Sequence, residues 1–296
     1  MEFVILDLEW NGAYSKKLKH YINEIIEFGA VRVDEHLNIL DTFEALVHPQ
    51  VAKKISGKIR TLTSITNEDL EGGLQFMQVL VHFGKWAGNA VIMTWGTSDI
   101  LALTENCSYF CGSDRIPFLK RYVDLQAYCE HLLQKDGVGS QQMGLSTAAG
   151  LLEIDESGFD HHRALGDSLL TLRCFQKLYQ PEKLGLFLQD AENDEFYRKM
   201  EFKTVALCDL HSPLIQKEDL SFCCAECGRK AHRDGEWQLR NKSFRAVFFC
   251  RRCGKKFWGR VQFKLKYEGL VVKKSIQPYV EEKKETDQTE NSENKT

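Results

Sequence analysis

Ten cysteines are spread unevenly along these 296 residues: Cys223, Cys224, Cys227, Cys250 and Cys253 fall within 31 residues. Four of them make two Cys-x-x-Cys-Gly units, Cys224 to Gly228 and Cys250 to Gly254, with 22 residues between Cys227 and Cys250. A Cys-x-x-Cys turn lets two thiolates reach one metal ion, and the following glycine admits the left-handed backbone that turns amides toward the sulfurs. Two such turns complete a tetrahedral set. The pattern predicts one structural Zn²⁺ on Cys224, Cys227, Cys250 and Cys253, in a small zinc-ribbon β domain over 221–270 whose hairpin fills the spacer. Redox or unpaired thiols are the alternative. Cys223 is a spare, and Cys208-x-x-His211 is set aside because four better ligands are present.

Charge divides the chain in the same way. The net charge of −3 taken alone argues against a nucleic-acid partner. Residues 1–200, however, carry 19 Lys/Arg against 28 Asp/Glu, whereas 201–296 carry 20 against 14. No window approaches the roughly 18 consecutive apolar residues of a membrane span. The first ten residues carry Glu2, Asp7 and Glu9 where a signal peptide would be basic. The expectation is a soluble, cytoplasmic protein with no membrane partner.

The apolar, β-branched run Phe3-Val4-Ile5-Leu6 predicts a buried strand continuing to Trp10. Further strands are expected at 25–33, 43–47 and 90–95, one helix over 67–86, and others at 98–110, 124–135, 144–152 and 163–179. This order implies an α/β or α+β domain over 1–182. Residues 183–220 read as a linking segment with room for a short helix, and 281–296 as a polar tail unable to bury enough surface to order itself.

Asp7-Leu8-Glu9 follows the first strand directly. Period two puts both carboxylates on one face of the sheet, where they repel unless a cation such as Mg²⁺ or Mn²⁺ lies between them. Two solvated acids at a strand end are the alternative. A second set, His161-His162-Arg163-Ala164-Leu165-Gly166-Asp167, opens an apolar-periodic helix. Residues five apart on a helix diverge by about 140°, so His162 and Asp167 converge only if His162 lies on the loop leading in. An imidazole there titrates near neutral pH and could accept a proton from water. Asp167 as a helix-terminal acid beside surface histidines is again the alternative.

In order, the chain shows Asp7-x-Glu9, Glu24-Ile25-Ile26-Glu27-Phe28-Gly29-Ala30-Val31, Leu62-Thr63-Ser64-Ile65-Thr66, Trp95-Gly96-Thr97-Ser98-Asp99 and His162-x-Ala164-x-x-Asp167. This succession, over about residues 1–180, resembles the DEDDh 3′-5′ exonucleases, a branch of the ribonuclease H-like fold. Within them it is most similar to the bacterial KapD-like proteins and the eukaryotic exoribonucleases that process histone mRNA and small RNAs. The resemblance implies a mixed β-sheet flanked by helices, with Asp7, Glu9, Asp99 and Asp167 holding two Mg²⁺ or Mn²⁺ ions. It makes His162 the general base, with His161 as the alternative. Ser64 stands where the relatives often carry glycine. The implied reaction releases nucleoside 5′-monophosphates from RNA or another single strand. A DNA proofreading or repair exonuclease, and a non-catalytic regulator acting through the ribbon, are the competing readings.

Between Arg229 and Lys266 there are 13 Lys/Arg against Asp234 and Glu236, interleaved with seven aromatic residues. Cations for phosphates beside rings for bases suit single-stranded nucleic acid, RNA ahead of DNA. The candidate binding residues are Arg240, Lys242, Arg245, Arg251, Arg252, Lys255, Lys256, Trp258 and Arg260. The rings could instead form the ribbon's own core, and the ribbon could hold a protein partner.

Overall fold

The computed structural model describes residues 1–133 and 142–279. The tail expected over 281–296 and the end of the helix expected over 124–135 lie outside them. The chain divides into two compact units at Glu201/Phe202. None of its described helices is long and apolar enough to cross a membrane.

The first unit begins with β1 (Phe3–Ser15), β2 (His20–Val33) and β3 (Ile39–Leu46), an antiparallel meander. Both β1 and β2 run further than their apolar runs imply, because small or polar residues (Ala13, Asn11 and Ser15) fill the buried positions of the extension. Helices α1 (Gly57–Thr63), α2 (Asn67–Glu71) and α3 (Phe76–Ala87) follow. The single helix expected over 67–86 is therefore two. Its break lies at Gly72-Gly73, where Leu74 bridges to Val47 and a Cβ on Gly73 would lie 2.8 Å from the His48 amide nitrogen.

Next come β4 (Val91–Thr94), α4 (Ser98–Cys111), β5 (Arg121–Asp124), α5 (Leu125–Leu133), α6 (Leu145–Leu151), α7 (Ala164–Leu178) and α8 (Pro181–Leu184). The unit ends with β6 (Gln189–Asp190) and α9 (Asp194–Glu201). The six-stranded sheet has the order β3-β2-β1-β4-β5-β6, with β1, β4 and β5 parallel and the other pairings antiparallel. This is the mixed, helix-flanked sheet of the expected fold.

Alternation along β1 divides the core between the two faces. Val4, Leu6 and Leu8 meet Phe28, Phe83 and Leu103 on one side, while Phe3 and Ile5 meet Leu172 and Phe175 on the other. Each fully buried side chain of this size contributes about 2–3 kcal/mol. By the same period-two rule, Asp7 and Glu9 continue the face of Phe3 and Ile5, the face that α7 covers.

The expected linker over 183–220 is folded and shared between the units. Residues 189–190 pair with β5, and Phe196 and Tyr197 are buried in the first core. Strand β7 (Val205–Leu207) belongs to the second unit, with β8 (His232–Arg240), β9 (Ser243–Phe249), β10 (Lys256–Lys266) and β11 (Gly269–Pro278). Their order is β11-β10-β9-β8, and β7 joins the distal half of β10. The second unit thus extends past both ends of 221–270. Two residues could not signal a strand in β6 or three in β7; only pairing partners identify them.

Candidate active site and metal centres

The acidic site forms where β1 outlasts a neighbour. Its parallel ladder with β4 runs only from Phe3↔Val91 to Ile5↔Met93, so the Leu8 amide has no strand partner on that side. Asp99, buried in the first turn of α4, accepts that N–H at 3.0 Å. The turn carrying Asp99 there is fixed by Gly96, at φ +83°, whose carbonyl accepts from the buried Tyr122 hydroxyl at 2.8 Å.

Opposite, Asp7 pairs with Gly29 and Glu9 with Glu27, after which Ile26 is left over as a bulge. A Cβ on Gly29 would lie 2.0 Å from the Leu165 nitrogen, so glycine is what lets the start of α7 rest on the sheet. The Ser168 hydroxyl donates to the Gly29 carbonyl at 2.8 Å. Glu27, fully buried, accepts from Arg163 Nη2 at 2.6 Å and from the Ala164 amide at 3.0 Å, capping α7. These contacts bring Asp167 over Asp7 and Glu9.

Glu27→Ala would leave the Arg163 guanidinium and the Ala164 amide without this partner. It is expected to lower stability by about 3 kcal/mol, the low end for a broken buried pair because Arg163 is 35% exposed. A shifted denaturant midpoint at constant m checks it.

His162 lies on the loop leading into α7, in the left-handed region at φ +60°, with its amide donating to Asp167 Oδ2 at 3.1 Å. Non-glycine residues held there store strain of order 1 kcal/mol, a frequent mark of functional loops. Ligand atoms of Glu9, His162 and Asp167 lie within 4.8 Å of one another. His161 lies between two acids: its Nε2 is 3.4 Å from Glu156 Oε2 and its Nδ1 3.8 Å from Asp167 Oδ1. Asp7, Glu9, Asp99, Asp167 and both histidines line one pocket of about 500 Å³, walled by Trp10, Trp95 and Leu145.

Burial first, and then mutual repulsion, pushes Glu9 up to about 8 and Asp7 well above the usual carboxylate range, and burial raises Asp167 although the His162 amide favours its charged form. Asp99 rises to about 7, burial outweighing the Leu8 amide that favours its charged form. Four crowded carboxylates with the nearby Arg163 committed to Glu27 and Glu44 form a hard-oxygen set that suits divalent cations.

The folded chain holds these protons to higher pH than the unfolded chain, whose carboxylates titrate near 4. Their contribution to metal-free stability is complete below about pH 4 and is lost as pH rises toward about 8. The Tm of the metal-free protein should therefore fall from pH 5.5 to 8.5, and Mg²⁺ or Mn²⁺ should remove most of the slope. A slope insensitive to divalent ions would contradict a carboxylate metal site.

Two other features complete the frame. Glu24 accepts from the Gln50, Val51 and Ala52 amides at 2.5, 2.6 and 2.9 Å, holding the loop beside α1. Ser64 caps α1 in the left-handed region at φ +60°, a backbone conformation that favours glycine. Glu24 and Glu27 were legible as a motif, but their roles depend on partners 26 to 137 residues away.

In the second unit, the sulfurs of Cys224, Cys227, Cys250 and Cys253 lie within 4.8 Å of one another. The two turns repeat the same bonds: Gly228 donates to the Cys224 carbonyl and Gly254 to that of Cys250, each at 2.9 Å. Both glycines have positive φ, +68° and +65°. The Cys253 amide, the leading cause, draws the Cys250 thiol down to about 7. Such a four-sulfur set suits a tetrahedral ion, and the β8–β9 hairpin occupies the spacer.

Of the seven rings, Phe244, Phe248, Phe257 and Phe263 are core, whereas Phe249 and Trp258 are half-buried and Trp237 packs on the core's edge. Among the nine candidate binding residues, Lys255 pairs with Glu226 and Lys256 with Asp234, each at 2.8 Å. Arg251 and Arg252 are exposed on the second knuckle and Lys242 on the β8–β9 turn, while Arg240, Arg245 and Arg260 line one pocket.

A family model described as Exonuclease (RNase_T) matches residues 4–175, well over half of the chain. The chain belongs to this exonuclease family. It is 29% identical over 188 residues to "Probable 3′-5′ exonuclease KapD" of Bacillus subtilis (strain 168), covering 61% of this chain and 85% of that one. It is 28% identical over 194 residues to the PolC-type DNA polymerase III of Thermotoga petrophila, covering 64% of this chain but 13% of the polymerase. Among solved structures, the nuclease domain of 3′hExo, a DEDDh family member bound to rAMP, matches 60% of this chain and 90% of its own at 25% identity and a TM-score of 0.52. A 3′-exonuclease recognising the histone mRNA stem-loop shares the fold at 23% identity, over 64% of this chain and 84% of its own, with a TM-score of 0.54. With its acids and histidines gathered in one pocket, the chain is a 3′-5′ exonuclease of the DEDDh type.

Proposed function

We propose that the protein is a divalent-metal-dependent 3′-5′ exoribonuclease that releases nucleoside 5′-monophosphates from single strands. The observation that carries this reading is the convergence of Asp7, Glu9, Asp99 and Asp167 on the pocket that His162 lines. These four carboxylates would hold two Mg²⁺ or Mn²⁺ ions, which when bound supply charge neutralisation and Lewis acidity at the terminal phosphodiester. An imidazole nitrogen of His162 takes the proton of the attacking water as the water oxygen bonds to phosphorus and the bond to the 3′ oxygen breaks. His162 is favoured over His161 because it shares a ligand-distance cluster with both Glu9 and Asp167, whereas His161 is shared between Asp167 and Glu156. Trp10, Trp95 and Leu145 offer apolar walls to the terminal base and sugar.

Zn²⁺ on the four cysteines is the second proposed metal, with a structural role, and the setting that suits four reduced thiols is the cytoplasm. RNA as substrate is supported by the likeness to 3′hExo, solved with rAMP. DNA is a second reading, favoured by the likeness to PolC-type DNA polymerases. Rates on matched, 3′-labelled RNA and DNA strands in Mg²⁺ decide between them. Faster hydrolysis of RNA is expected; preference for DNA would replace the exoribonuclease reading.

A further inference from the structure

The outward face of the second sheet carries a concentration of charge opposite in sign to the active site. Alternation sends Phe244, Phe248, Phe257 and Phe263 into the core and leaves Arg245, Trp258 and Arg260 on the other face. Arg245 and Arg260 are directly opposed across the β9–β10 ladder. Arg240 and Asn241 from the hairpin end, with Ser243 and Gln277, close a pocket of about 250 Å³ around them.

Like charges facing each other across adjacent strands repel. No carboxylate lines this pocket, and no ion pair engages the three arginines among the described residues. Two of the guanidinium groups, those of Arg245 and Arg260, are nevertheless fixed. Arg245 Nε donates to Gln238 Oε1 at 3.2 Å while its guanidinium lies 4.7 Å from the centre of the Trp258 ring. Arg260 Nη2 donates to Ser243 Oγ at 3.1 Å. Pre-oriented guanidinium forks match the oxygens of a phosphate, and neighbouring amide and hydroxyl groups add neutral donors. A protein interface would place apolar or aromatic anchors at its centre, and this pocket is lined by none.

We propose that Arg240, Arg245 and Arg260 form a phosphodiester-binding site for single-stranded RNA on the outer face of the C-terminal sheet, with Trp258 as the positioning residue for Arg245. The site rests on the reading of RNA as the substrate but uses none of the residues of the active site. Its test is the anisotropy of a labelled 12-nucleotide RNA titrated with the full chain over a salt series, with Asp7→Asn present throughout so that the strand survives.

Adding Arg245→Ala and Arg260→Ala is expected to weaken binding at least about tenfold and to flatten the salt dependence by about 0.7 for each phosphate no longer neutralised. Arg245→Lys with Arg260→Lys should recover the slope and part of the affinity, separating missing charge from a disturbed sheet. Trp258→Ala should weaken binding with the slope little changed, and inorganic phosphate should compete only weakly. Unchanged affinity and slope in the double alanine variant would overturn the proposal. So would retention of RNA together with loss of binding to an acidic polypeptide, which would assign the face to a protein. Failure of the exonuclease reading would show separately, as absence of hydrolysis by the Asp7 protein while RNA binding still depended on the arginines.

Discussion

Asp7→Asn is expected to cut exonuclease turnover by about 10³-fold or more while making the metal-free protein more stable at pH 8. The two effects have one origin. Asp7 sits among Glu9, Asp99, Asp167 and Glu27, and its carboxylate is the most heavily opposed of the set. Neutralising it removes repulsion from the folded state, so Tm rises. It also removes a negative charge from a site whose cations would supply several kcal/mol of transition-state stabilisation, and each 1.36 kcal/mol is tenfold in rate. A surface carboxylate would show neither effect, and a structural one would show a fall in Tm. Single-turnover rates and thermal melts on the same preparations read both.

Cys250→Ser, or removal of metal by a chelator, is expected to unfold the second unit. Its core is a small cluster around Phe222, Phe248, Phe257 and Phe263, and the four cysteines tie together the two turns that flank the β8–β9 hairpin. Structural zinc in small domains contributes about 10–16 kcal/mol of apparent binding free energy, more than the net stability of such a unit. Loss of the metal should expose Trp237 and Trp258, shifting fluorescence to the red. The first unit should keep its own melting transition. A second unit that melts unchanged after chelation would remove zinc from its folding.

Much of this was legible because the chemistry is local. Asp7-x-Glu9 lies on one strand, and the Cys-x-x-Cys-Gly units declare their cysteine spacing and their glycine turns within five residues each. Asp99 was harder to read, since its role depends on β4 ending three residues before α4 begins and on a free amide at Leu8. The split of the helix expected over 67–86 was hidden because the apolar spacing continues across Gly72-Gly73, and only the Leu74 to Val47 bridge breaks it. Glu27 and Gly29 were legible as part of a motif, but without a role. Their function, seating and capping α7, exists only once residue 164 arrives from 137 positions away. The arginine pocket was blurred for a related reason: composition counts every cation alike, whereas folding neutralises Lys255 and Lys256 and groups Arg240, Arg245 and Arg260.

The most direct measurement follows a 3′-labelled RNA strand with the purified full chain in Mg²⁺ or Mn²⁺. The label is expected to leave first, as a nucleoside 5′-monophosphate; withholding divalent ions should stop its release, and His162→Ala should slow it by about 10²-fold or more. Release that proceeds without divalent ions, begins at the 5′ end, or yields 3′-phosphates would contradict a DEDDh-type exoribonuclease.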